Sequence, residues 1–192
     1  MKQERHLTVL AFGDSITSGW GIGLGASFPS LLEARLRDEA KLELTMRNAG
    51  IPGDTTRGGL GRLPAALFSR PDCAILALGV NDVFHEVPPE SLEANLRRML
   101  ELFAEAEVPV LFVGVRALGV VDPDYAEDFN AVYPRLAREF GVEFYPSLLA
   151  GVEGVPEMNQ PDGVHPSEAG ARRIAEGMYP SLLRVLDTCW KV

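Results

Sequence analysis

Leu7-Thr8-Val9-Leu10-Ala11-Phe12-Gly13-Asp14-Ser15 is the stretch whose reading decides the fold. Six residues, apolar but for one threonine, run straight into a glycine turn that carries a serine. A serine delivered at the end of a buried strand, on a tight turn, is where α/β folds present a reactive group. Far downstream, Asp162-Gly163-Val164-His165-Pro166 supplies a carboxylate and an imidazole three residues apart. Together the two segments contain the chemistry of a serine hydrolase.

Working outward, short apolar runs alternate with longer segments of helical period, the pattern of an α/β protein with a mainly parallel sheet. Residues 42–46, 73–78, 110–115 and 142–145 join 7–12 as five expected strands. Leu92, Leu96, Met99, Leu100 and Phe103 repeat at helical spacing, as do Tyr125, Phe129, Val132, Leu136 and Phe140, so both segments read as amphipathic helices. Ser30 and Glu33 stand in capping-box register for the first long helix. The last helix is expected to begin near Pro166-Ser167, with Ala171, Ile174, Ala175 and Met178 on one face and a kink or split at Pro180. No repeat, low-complexity segment or linker interrupts the pattern. The expectation is one domain over residues 1–192, a three-layer α/β/α sandwich of about five mainly parallel strands.

The composition narrows the function classes. With 192 residues, 46% hydrophobic and 23% charged, the chain has the make-up of an ordinary globular domain. Its 27 acidic against 18 basic residues give a net charge of −9. No strip of Lys or Arg could track phosphates, so nucleic acid is not an expected partner. Arg97-Arg98 and Arg172-Arg173 read as solvated helix faces. The two cysteines, Cys73 within an apolar strand and Cys189 near the end, make neither a disulfide framework nor a zinc site, and no metal is expected. The polar start Met1 to His6 is followed by an apolar run too short for a signal-peptide core, so the chain as written is expected to be cytoplasmic, or periplasmic or secreted if a leader was removed. No segment has the length and apolarity of a transmembrane span.

A hydroxyl nucleophile needs a base, a group that orients the base, and donors for the oxyanion formed on the substrate. Ser15 is the candidate nucleophile. Of the three histidines, His6 lies in the polar start and His85 in a loop after a strand, whereas His165 alone has a carboxylate at short fixed spacing. Asp162 can accept from Nδ1 of His165 and leave Nε2 to face Ser15. Taken singly, an Asp-x-x-His spacing is more often a capped turn; its co-occurrence with Gly13-Asp14-Ser15 reverses that. Asn48-Ala49-Gly50 and Gly79-Val80-Asn81-Asp82 follow the second and third strands, at ends that share one sheet edge with Ser15. The Gly50 N–H and the Asn81 amide can therefore converge on one oxyanion.

Four ordered blocks, Gly13-Asp14-Ser15, Gly50, Gly79-x-Asn81-Asp82 and Asp162-x-x-His165, resemble the SGNH (GDSL) hydrolase superfamily. Gly53-Asp54-Thr55-Thr56, Arg62-Leu63-Pro64 and Ala131-Val132-Tyr133-Pro134 further resemble its thioesterase I, lysophospholipase and arylesterase branch. The resemblance implies a flavodoxin-like fold without a cofactor, Ser15 as nucleophile with Asp162 and His165 as partners, and an oxyanion hole from Ser15, Gly50 and Asn81. Asp14 and Asp82 are read as structural. The chain departs from the branch at Ile16, in place of leucine, at Val80, in place of a second glycine ahead of a loop over residues 80–88, and across residues 116–122.

The expected activity is two-step acyl transfer on a small-molecule acyl ester or thioester, in a groove lined by Trp20, Ile22, Leu24, Val83 and Phe84 that suits small to medium acyl or aryl groups. A carbohydrate deacetylase or an acyltransferase would use the same machinery. A non-catalytic flavin- or nucleotide-binding module, with Ser15, Thr17, Ser18 and Gly19 around a phosphate, is the competing class and leaves Asp162 and His165 unexplained.

Overall fold

In the computed structural model, which describes residues 6–117 and 121–189, β1 (Leu7–Gly13) is an interior strand of the sheet, and all its residues except Thr8 are buried. Of the polar start only His6 falls among the described residues, and 118–120 within the divergent segment 116–122 lie outside them. Along β1, Leu7, Val9 and Ala11 join one apolar cluster while Leu10 and Phe12 join another. That division is the two-residue period of a strand with both faces covered.

A four-residue helix, α1 (Ser15–Ser18), follows β1, and α2 (Phe28–Asp38) returns the chain to the start of β2 (Leu44–Gly50). Then come α3 (Thr56–Leu67), β3 (Cys73–Ala77), the short α4 (Val80–Phe84), α5 (Pro89–Glu105), β4 (Val110–Val113), α6 (Pro123–Phe140), β5 (Glu143–Tyr145) and α7 (Glu168–Cys189). All five strands are parallel, in the order β2-β1-β3-β4-β5. Leu32 and Leu36 of α2 and Ile174, Met178 and Leu182 of α7 cover one face. Leu63 of α3, Leu96 and Met99 of α5, and Phe129 and Leu136 of α6 cover the other. The expected α/β/α sandwich is therefore observed.

This strand order reverses direction beside β1, since β2 lies on one side of it and β3 on the other. In open parallel sheets, such a switch point leaves a crevice at the carboxyl ends of the strands. The register pairs Gly13 with Gly50 and with Ala77, so the chain leaves all three strands at one edge.

Three local expectations are corrected. β2 continues through Asn48-Ala49-Gly50, which were expected beyond its end. It is an edge strand, and pairing with Ala11, Phe12 and Gly13 of β1 keeps these three residues in the sheet. The cap of α2 is Ser27, whose side chain accepts from the Ser30 N–H, and Glu33 instead accepts from the Met46 N–H at 2.7 Å. Pro180 lies inside α7 without splitting it. Met178 and Tyr179 before it and Leu182 and Val185 after it are buried in one cluster, so packing on both sides carries the helix past the lost hydrogen bond.

Candidate active site

The sharp turn out of β1 needs glycine at position 13. A Cβ there would collide with Thr17 Oγ1 and with the Ala77 carbonyl oxygen. Asp14 then caps α1, its Oδ1 accepting from the Ile16 N–H at 2.9 Å, which leaves Ser15 as the first helical residue. Asp14 is fully buried and its Oδ2 has no partner among the described residues. Burial pushes its carboxyl up to about 7, the Ile16 N–H opposes the shift, and the nearby Asp54 carboxylate adds to it.

Ser15 is largely buried, and its Oγ lies 3.0 Å from Nε2 of His165. On the opposite ring atom, His165 Nδ1 is 2.7 Å from Asp162 Oδ2. The other oxygen of Asp162 accepts from the backbone N–H groups of Val164 and His165 at 2.9 and 3.0 Å. Hydrogen bonds from the His165 ring and these two amides hold the Asp162 carboxyl down at about 2. The tautomer with its proton on Nδ1 is thereby selected, and Nε2 presents a lone pair to Ser15.

The loop bearing this pair is fastened across the site. Gln160 donates from Nε2 to the carbonyls of Trp20 (2.7 Å) and Pro166 (3.0 Å), and its own N–H donates to His165 O at 2.8 Å. The loop of the base is thus tied to the loop that follows the nucleophile. Gln160 was not singled out in the sequence, where a lone glutamine in a loop gives no signal.

Asn81 lies in α4, where residues 80–84 form a helix in place of the expected loop, and its Nδ2 donates to the Asp54 carbonyl at 2.8 Å. Gly50 does not present a free amide: its N–H donates to Asn48 Oδ1 at 3.0 Å. Asn48 Nδ2 in turn donates to Thr17 O at 2.8 Å, so the Asn48-Ala49-Gly50 block fastens β2 to α1. Three residues on, the Gly53 N–H takes no hydrogen bond among the described residues and adjoins the Asp54 peptide that holds Asn81. The backbone N–H of Ser15 is likewise unengaged. Asp82 is structural as expected: its two oxygens accept from the N–H and hydroxyl of Thr56 at 2.8 and 2.5 Å, at the start of α3.

A cavity of about 210 Å³ abuts the site, lined chiefly by Val80, Val83 and Phe84 of α4, Val115 after β4, Leu148 after β5, and Val164 beside His165. Of the expected lining, Val83 and Phe84 belong to this cavity, whereas Trp20 and Ile22 flank a much smaller cleft on the other side of Ser15 and His165. Leu24 is fully exposed and lines neither. Among the described residues no cluster of His, Cys, Asp or Glu could hold a metal ion, and no helix is long and apolar enough to cross a membrane. A phosphate cradle at α1 has no support either, because Thr17 is buried and Ser18 Oγ turns back to donate to Ser15 O at 2.9 Å.

Residues 11–173 match the GDSL-like lipase/acylhydrolase family. The chain is 36% identical over 186 residues to the esterase TesA of Pseudomonas aeruginosa, covering 96% of this chain and 92% of that protein. It is 33% identical to an arylesterase of Vibrio mimicus, covering 93% and 89%. To the thioesterase 1/protease 1/lysophospholipase L1 of Escherichia coli it is 34% identical, covering 91% and 83%. The crystal structure of TesA superposes with a TM-score of 0.88 at 36% identity, over 93% of this chain and 99% of that one. AlinE4, an SGNH-hydrolase family esterase, gives 0.80 at 32% identity, over 96% and 99%. With a family match across most of its length, this chain belongs to the GDSL-like lipase/acylhydrolase family of SGNH serine hydrolases.

Proposed function

We propose that this protein is a serine esterase that hydrolyses small to medium acyl or aryl esters, and acyl thioesters, through an acyl-enzyme on Ser15. The observation that carries the reading is the unbroken line Ser15 Oγ, His165 Nε2, His165 Nδ1, Asp162 Oδ2, at 3.0 and 2.7 Å. Ser15 Oγ adds to the ester carbonyl carbon as Nε2 takes its proton, and Asp162 balances the imidazolium that forms. The oxyanion is met by the Ser15 N–H, by the second N–H of the Asn81 amide, and by the Gly53 N–H in place of the Gly50 N–H first expected. On collapse, His165 returns the proton to the departing alcohol or thiol. Water then repeats the sequence to release the acid.

The cavity beside Val164 and Val80 receives the acyl or aryl group. Its 210 Å³ lies below the roughly 300–1,000 Å³ of pockets for drug-sized ligands, which favours short to medium chains. The names of the relatives, esterase, arylesterase and thioesterase, agree with this substrate range. The test is hydrolysis of p-nitrophenyl esters from acetyl to long acyl chains by the wild type and by Ser15→Ala. We expect turnover to peak at short to medium chains and to fall by about 10⁴-fold or more in the variant. Activity surviving in Ser15→Ala would remove the acyl-enzyme mechanism.

A further inference from the structure

Arg62 is the most heavily engaged side chain beneath the site, and the acyl-transfer steps above make no use of it. From α3 its Nη2 donates to Gly13 O at 2.8 Å and its Nη1 to Ala49 O at 2.9 Å. Its Nε donates to Asp54 Oδ2 at 2.7 Å, and the guanidinium carbon lies 3.8 Å from the centroid of the Phe12 ring. One planar group thus grips the ends of two neighbouring strands and a loop carboxylate. Gly13 leads directly into the turn of Ser15. Asp54 follows Gly53 and offers the carbonyl to which Asn81 Nδ2 donates at 2.8 Å.

We propose that Arg62 is a positioning residue for the oxyanion hole: acting through Asp54, it fixes the Asn81 amide relative to Ser15. The inference rests on the oxyanion role given to Asn81 above. An oxyanion donor helps only if it is already aimed when charge develops, and a first shell has to be held to within about 0.5 Å by its supports. The loop of residues 51–55 is exposed over Ile51-Pro52-Gly53 and has few side chains of its own to hold it. The Asp54–Arg62 pair supplies the anchor, and with side-chain exposures of 10% and 22% it is shielded from most of the solvent that weakens surface pairs. Three acceptors in three directions from one plane suit a guanidinium fork. A lysine ammonium, which is a compact point charge, cannot reproduce that geometry.

A double-mutant cycle on p-nitrophenyl butyrate, with Arg62→Met, Asn81→Ala and the pair, separates this role from general support of the fold. Arg62→Met is expected to lower kcat by about 10-fold or more with KM within about 3-fold of wild type, yet to cost under about 2-fold once Asn81 is already alanine. The same loss in both backgrounds would overturn the inference and leave the esterase reading intact. Wild-type kcat in Asn81→Ala would instead remove the oxyanion role of Asn81, and the inference with it. Should Arg62→Met fail to fold, Arg62→Lys takes its place in the cycle, where kcat equal to wild type would also overturn the proposal.

Discussion

Asp14 and Asp162 both flank the Ser15–His165 pair, and they sit in opposite surroundings. Asp14 is fully buried with one oxygen unpartnered, and its carboxyl is pushed up to about 7. Asp162 is half-exposed, with the imidazole on one oxygen and two backbone amides on the other, and its carboxyl is held down at about 2. Sequence position favours Asp14, which adjoins the nucleophile, but chemistry favours Asp162. A carboxylate can balance an imidazolium only if it is ionised at working pH and aimed at Nδ1, and environment decides both.

Asp162→Asn attacks the contrast directly. It preserves the size of the side chain while removing the charge and disturbing the tautomer, and kcat is expected to fall by about 10³- to 10⁴-fold. Asp14→Asn is expected to change kcat far less, and comparable losses in the two variants would abolish the distinction between them. Next in size, Asn81→Ala should cost about 10²- to 10³-fold in turnover with a smaller change in KM, measured on the same ester.

The smallest effect is on stability. Asp14 titrates near 7 when folded and near its ordinary 3.8 when unfolded, so between those values the native state holds a proton that the unfolded chain releases. Stability from this group therefore declines as pH rises from about 4 to about 7, and the loss is complete above that range. Asp162 works in the other sense: its lowered value favours the folded state above 3.8, and this contribution disappears as pH falls toward 2. In thermal melts, Asp14→Asn should flatten the fall in Tm between pH 4 and 7 (about two-fold weaker slope or less) without altering the acid limb. An unchanged slope would show that Asp14 is not the group responsible.

Much of this was legible in the sequence because the informative signals were local. Apolar runs marked β1 and β3, helical spacing marked α5 and α6, and an acid three residues before a histidine marked the base. The misreadings came where a local signal met a longer-range partner. Glu33 looks like the far half of a cap on Ser30, yet it satisfies the N–H of Met46 on the neighbouring strand. Gly50 looks like a free turn glycine, yet Asn48 occupies its amide. Arg62 enters the sequence reading only through the motif Arg62-Leu63-Pro64, and its place beneath the sheet edge shows only in the fold.

By itself the sequence determined the class of fold and the identity of the reacting groups, because periodicity and residue chemistry are properties of short segments. Tertiary structure alone decided which amides remain free, which carboxylate is ionised, and what holds the oxyanion donors in place. Those depend on burial and on hydrogen bonds between residues far apart in the chain, as Ser15 and His165 are, and no local pattern encodes such distances.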